Sequence, residues 1–134
     1  MIKATDLRVG NLLEYYIATD NLGWIISEID WQDIKQCQEN PINFNADNRG
    51  IELTEYWLLK FGFEKVFEGK YKRCKIILLD TEIYLRPNLD KWFFGFKNYG
   101  EDCEINDCYE MVFVHELQNL IFALTKHELT IKTK

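Results

Sequence analysis

The stretch Leu53–Phe63, LTEYWLLKFGF, constrains this chain most. Tyr56, Trp57, Leu58, Leu59 and Phe61 cover most of the circumference of a short helix, leaving a polar strip at Glu55 and Lys60. A helix that is apolar nearly all round is buried on more than one side. The Thr54 hydroxyl is expected to cap its start, and Gly62 stands where a left-handed residue would end it. Phe63 then restarts an extended apolar run, so the helix is read as a core element with a strand on each side.

The rest of the chain has to wrap that element. A length of 134 residues suits one domain, residues 1–134, with a possible subdivision into an SH3-like β part over 1–50 and an α+β part over 51–134. A hydrophobic content of 47% supports a packed core. Strands are expected at Leu12–Ile17 and Trp24–Ile29, with turn chemistry at Thr19-Asp20-Asn21 between them. Trp31–Ile34 is read as continuing a small curled antiparallel sheet. From Gln38 to Gly50, the density of Asn, Asp, Pro and Gly predicts a long surface loop.

Beyond the central helix, Phe63–Phe67, Tyr71–Leu79, Glu82–Arg86 and Trp92–Phe96 predict an antiparallel meander. The run Ile76–Leu79 is expected to be buried on both faces. Lys97–Asn106 reads as loop, and Tyr109–Val114 as a strand or the lead-in to a helix. Leu117, Leu120, Ile121 and Leu124 recur at helical spacing and predict an amphipathic helix over His115–Leu124. Glu128–Ile131 is expected to add a short edge strand. The fold class is α+β, a small N-terminal curled sheet followed by a meander flanked by two helices.

Three segments, Lys3–Asn11 (KATDLRVGN), Leu53–Phe63 and Val114–Ile131 (VHELQNLIFALTKHELTI), together resemble a family of small proteins of prophages and other mobile elements in Bacteroidetes-type bacteria. They make up under a third of the chain. The resemblance implies a bacterial cytoplasmic setting and an accessory role, and carries no catalytic residue, cofactor or activity. A net charge of −6 opposes general binding to nucleic acid or anionic membrane. No apolar run reaches the roughly 18 residues of a membrane span. The polar start MIKATDLRVGN lacks the apolar core of a signal peptide, so the expectation is a cytoplasmic chain whose four cysteines are reduced thiols.

Several residue sets are candidates for function. On the last helix, His115, Gln118, Asn119 and Phe122 fall opposite the apolar stripe, and an outward face of this kind would suit a protein partner. Lys65, Lys70, Tyr71, Lys72, Arg73 and Lys75 would form a basic hairpin ridge, the alternative being a nucleic-acid surface. Cys103, Cys108, His115 and His127 have zinc-ligand chemistry without zinc-site spacing, and a helix would hold the two histidines about 18 Å apart. The acidic run Glu101, Asp102, Glu104, Asp107 and Glu110 lacks the glycine and terminal glutamate of a calcium loop. Adjacent His-Glu pairs diverge on a helix, leaving a Cys–His pairing, such as Cys74 with either histidine, as the one nucleophile chemistry that folding could assemble. No metal, cofactor or catalytic residue is expected. The anticipated partner is a protein, and an exposed Trp24 or Trp31 would mark a contact between copies of the chain.

Overall fold

A computed structural model describes residues 1–19, 22–68, 71–98 and 104–132. It is α+β, with two antiparallel sheets and their helices. The backbone divides into two compact units. The first comprises Met1–Glu52 with Phe113–Asn119, and the second Leu53–Val112 with Leu120–Lys134.

The first unit opens with a single 3-10 turn at Ala4–Asp6 and the hairpin β1 (Leu12–Ile17) and β2 (Gly23–Glu28). Helices α1 (Trp31–Glu39) and α2 (Pro41–Asp47) follow, and then the short strand β3 (Asn48–Gly50). The sheet order is β2-β1-β3. Leu13, Ile29, Cys37 and Phe44 form its core, with Ile2, Ala4, Leu7 and Ile34 packed against them. Trp31–Ile34 is therefore helical rather than part of the sheet. Asp30 makes it so: its carboxylate accepts from the Gln32 and Asp33 amides at 2.9 and 3.1 Å, while Asp33 accepts from the Asp30 amide at 2.9 Å. This reciprocal capping supplies partners for backbone donors that a helix start leaves open.

The expected surface loop over Gln38–Gly50 is mostly helix as well. Pro41 occupies the first turn of α2, where its missing N–H costs nothing. The asparagines that suggested a loop fasten this helix instead. Asn45 accepts from the Ile2 amide at 2.7 Å and donates to the Ile2 carbonyl at 2.9 Å, and Asn48 donates to the Phe44 carbonyl at 2.9 Å.

In the second unit, α3 (Glu55–Lys60) precedes a five-stranded meander. Its strands are β4 (Glu64–Glu68), β5 (Tyr71–Leu78), β6 (Thr81–Asn88), β7 (Lys91–Asn98) and β8 (Glu104–Met111), each paired with the next. The chain closes with α4 (Val114–Thr125), which the division crosses after Asn119. α3 ends as expected. Gly62 has φ +97°, its amide donates to Leu59 O, and the Phe63 amide donates to Leu58 O, each at 3.0 Å. This is the paired closure of a helix by a left-handed glycine.

Two expectations for α3 do not hold. The Thr54 side chain makes no capping hydrogen bond. Trp57, Leu58 and Phe61 are buried, but Tyr56 is 63% and Leu59 43% exposed, so the helix buries one side rather than nearly its whole circumference. In β5, Ile77 is 50% exposed and Leu79 beyond it 76%, so the run Ile76–Leu79 is not buried on both faces. Glu128–Ile131 adds no strand.

The registers place Cys74, Ile83, Leu85, Trp92, Phe94 and Met111 on one face of the large sheet, and all are buried. Trp92 spends its polar atom inside this unit, donating from Nε1 to the Leu53 carbonyl at 2.8 Å. On the opposite face, Arg73, Lys75, Glu82, Arg86, Phe93 and Glu110 surround Tyr84, which lies across Gly95.

Candidate functional site

The last helix shows why its polar face is not an outward one. β3 pairs with β1 only from Leu13 to Tyr15, leaving the backbone before Leu13 without a strand neighbour on that side. Gln118 fills the gap: Oε1 accepts from the Leu12 amide at 2.9 Å and Nε2 donates to the Gly10 carbonyl at 3.3 Å. Asn119 continues the series, accepting from Asn11 Nδ2 and donating to the Asp6 carbonyl, both at 2.8 Å. Asn11 in turn accepts from the Arg8 amide at 2.7 Å.

The expected partner surface of His115, Gln118, Asn119 and Phe122 is thereby corrected. His115 and Gln118 are buried, Asn119 and Phe122 half-buried. Backbone groups withdrawn from a strand ladder need other partners, and these amides supply them. His115 stacks on Phe113 with ring centroids 5.7 Å apart, and Gly50 lies so close that a Cβ there would sit 3.2 Å from His115 Cε1. Among the described residues its Nδ1 has no hydrogen-bond partner, and burial lowers its pKa against the opposing influence of Glu116 and Asp6.

The basic run does not form one ridge. Strand alternation sends Lys65 and Lys72 to one face of the hairpin and Arg73 and Lys75 to the other. Both lysines grip Glu55, Lys72 at 2.9 Å and Lys65 at 3.6 Å, and the Lys72 contact foremost holds the Glu55 carboxyl below its ordinary range. Arg73 lies over the Tyr84 ring at 4.6 Å, and Lys75 meets Glu82 at 3.8 Å. Lys70 and the side chain of Tyr71 lie outside the described residues.

Cys74 and Cys37 are buried, and burial pushes both thiols up, away from the nucleophilic thiolate. Cys103, Glu101, Asp102 and the side chains of Glu104, Asp107 and Cys108 lie outside the described residues, while Glu110 pairs with Lys91 at 3.5 Å. Among the described residues, no group of three His, Cys, Asp or Glu side chains converges to hold a metal ion, and no helix is long and apolar enough to cross a membrane.

The surface that does gather recognition chemistry is the outer face of the three-stranded sheet. The registers align Glu14 with Ile26 and Arg49, and Tyr16 with Trp24. Tyr16 and Trp24 rings meet at 5.5 Å, the Arg49 guanidinium lies 4.1 Å over the Trp24 ring, and Arg49 Nε holds Glu14 at 2.6 Å. Tyr16 is 45% and Ile26 49% exposed. The sequence signal for this patch is the alternation through Leu12-Glu14-Tyr16 and Trp24-Ile26-Glu28, readable only once the hairpin register is known.

Comparison with protein-family models, curated proteins and solved structures finds no match to this chain.

Proposed function

We propose that this chain is a non-enzymatic accessory protein of a mobile element that works in the cytoplasm by binding another protein. The observation that carries the binding role is the Tyr16–Trp24–Arg49 patch with Ile26 beside it. Tyr, Trp and Arg are the side chains that dominate binding energy at protein interfaces. Here the Glu14 contact and the ring contact already orient the guanidinium, which reduces the ordering cost on binding. A net charge of −6 favours a partner with a basic rim around its apolar contact. The mobile-element setting rests on the three segments Lys3–Asn11, Leu53–Phe63 and Val114–Ile131.

The test is a tagged pull-down from bacterial lysate with and without nuclease, at low and high salt, comparing the native chain with Tyr16→Ala and Ile26→Asp. A stoichiometric protein that survives nuclease and is lost with both variants is the expected result. Recovery of nucleic acid that vanishes at high salt would move the function to the basic side chains of β4 and β5. Equal recovery of a protein by all three chains would remove the patch from the reading.

A further inference from the structure

Among the described residues β2 pairs with β1 alone, which makes it an edge strand. Natural edges are blunted by charge, proline, bulges or brevity. The other described edges follow that rule: β4 carries Glu64 and Lys65, β8 carries Glu110, and β3 is only Asn48–Gly50. β2, Gly23–Glu28, has one charge, at its very end, and an unbroken Trp24-Ile25-Ile26 centre.

The hydrogen bonds of the hairpin fix which backbone groups this edge offers. The Ile29 amide and carbonyl both turn towards β1, bonding to Asn11 O at 2.9 Å and the Gly10 amide at 3.0 Å. By the alternation of an antiparallel ladder, Ser27, Ile25 and Gly23 turn the same way, and Ile26 and Trp24 turn their N–H and C=O groups outward. Neither residue has another backbone partner among the described residues.

We propose that β2 pairs antiparallel with β2 of a second copy about a two-fold axis at Ile25. Only registers that oppose outward-turned residues make a regular ladder. In the register centred on Ile25, Trp24 and Ile26 of one copy exchange hydrogen bonds with Ile26 and Trp24 of the other. Every opposed pair at the centre is then apolar on both faces. Trp24 crosses Ile26 on the outer face beside Tyr16, and Ile25 meets Ile25 on the inner face beside Tyr15. The sole charge, Glu28, falls outside this centre. The register centred on Ile26 sets Trp24 against Glu28 and lacks this match. The strand is thus complementary to itself, as an isologous contact requires. The pairing uses backbone atoms that the partner-binding patch does not use, and it would join two such patches on one continuous sheet.

Sedimentation across micromolar to millimolar concentrations tests the idea, with hydrogen exchange at the same concentrations. The native chain is expected to move from 16.1 kDa towards twice that mass. Added salt should favour the dimer, because it screens two chains of charge −6. Exchange at the Trp24 and Ile26 amides should slow by at least tenfold with concentration, while Ile25 and Ser27 stay protected throughout. Ile26→Pro removes only an outward N–H and Ile26→Lys adds the usual edge charge, and both should stay monomeric. A chain that remains at 16.1 kDa throughout overturns the proposal, and so does a dimer in which Trp24 and Ile26 exchange does not change. The exchange readout needs no variant, so it decides the matter even if a substitution unfolds the chain.

Discussion

Gln118 stands in for a missing strand at Leu12, its side-chain amide accepting from the Leu12 backbone N–H at 2.9 Å. The same amide donates to Gly10, so one side chain satisfies two backbone groups that β3 is too short to reach. Gln118→Leu leaves both groups, each part-buried, without these partners. An unmet buried polar group costs about 1–3 kcal/mol. The expected loss in stability is therefore at least 1 kcal/mol, read from urea midpoints at unchanged slope. Gln118→Glu should not rescue it, because a carboxylate can accept from Leu12 but cannot donate to Gly10. A neutral result for Gln118→Leu would show that water replaces the amide.

The cap of α1 gives a second, local prediction. Asp30→Ala removes the acceptor for the Gln32 and Asp33 amides and should cost about 1 kcal/mol. Asp30→Ser should recover most of it, since a hydroxyl oxygen can accept the same bonds. Thermal or urea unfolding compares the three chains.

Gly95 lies under Tyr84 so closely that a Cβ there would stand 2.3 Å from the ring. Gly95→Ala therefore has to displace a buried aromatic pressed by Arg73, and should destabilise by about 1–3 kcal/mol, the usual range for overpacking. In a Tyr84→Ala background the same substitution should cost far less. A double-mutant cycle measures this coupling, and simple additivity would rule out the contact as the cause.

His115 predicts how the protein responds to acid. Burial holds its folded pKa below the ordinary 6.5, so between those values the unfolded chain binds more protons than the folded one. Stability should be constant above pH 6.5 with respect to this group and should fall as pH drops through that value towards the folded pKa. His115→Gln should flatten that part of the stability–pH curve measured by urea unfolding from pH 7.5 to 5. An unchanged slope would show that other groups govern the acid response.

Local chemistry was enough to read much of this fold. Leu12–Ile17 is a strand as its aliphatic and aromatic content implies, and Gly62 ends α3 because the closure of a helix by a left-handed glycine is written in neighbouring positions. Strands β4 to β7 were legible for the same reason, each pairing with the next, whereas β8 (Glu104–Met111) starts inside the polar stretch Lys97–Asn106 that reads as loop. The errors fell where two local signals competed. Asn40-Pro41 and the asparagines after it carry loop chemistry, yet Asn45 ties α2 to the Ile2 backbone and Asn48 closes the end of α2 on the Phe44 carbonyl. Asp30 and Asp33 form a capping pair with aspartate in the place where glutamate or glutamine usually signals it.

The candidate surface depended on information of a different kind. Helical periodicity correctly set Gln118 and Asn119 opposite Leu117 and Ile121, but periodicity says only that two faces differ. Whether the polar face meets water or unfinished backbone depends on β3 stopping at Gly50 and on Asn11 and Leu12, which lie more than a hundred residues from their partners Asn119 and Gln118. Likewise, Lys65 to Lys75 is one basic run in sequence and two opposed faces in a hairpin, and Tyr16, Trp24 and Arg49 are three distant residues that register alone makes neighbours. Sequence by itself determined the elements whose causes lie within a few residues: most of the strands and the glycine that ends α3; the turn expected at Thr19-Asp20-Asn21 falls on Asp20 and Asn21, outside the described residues. Tertiary structure alone decided which polar groups are spent inside and which side chains remain for a partner, because burial and hydrogen-bond satisfaction are properties of contacts between distant segments.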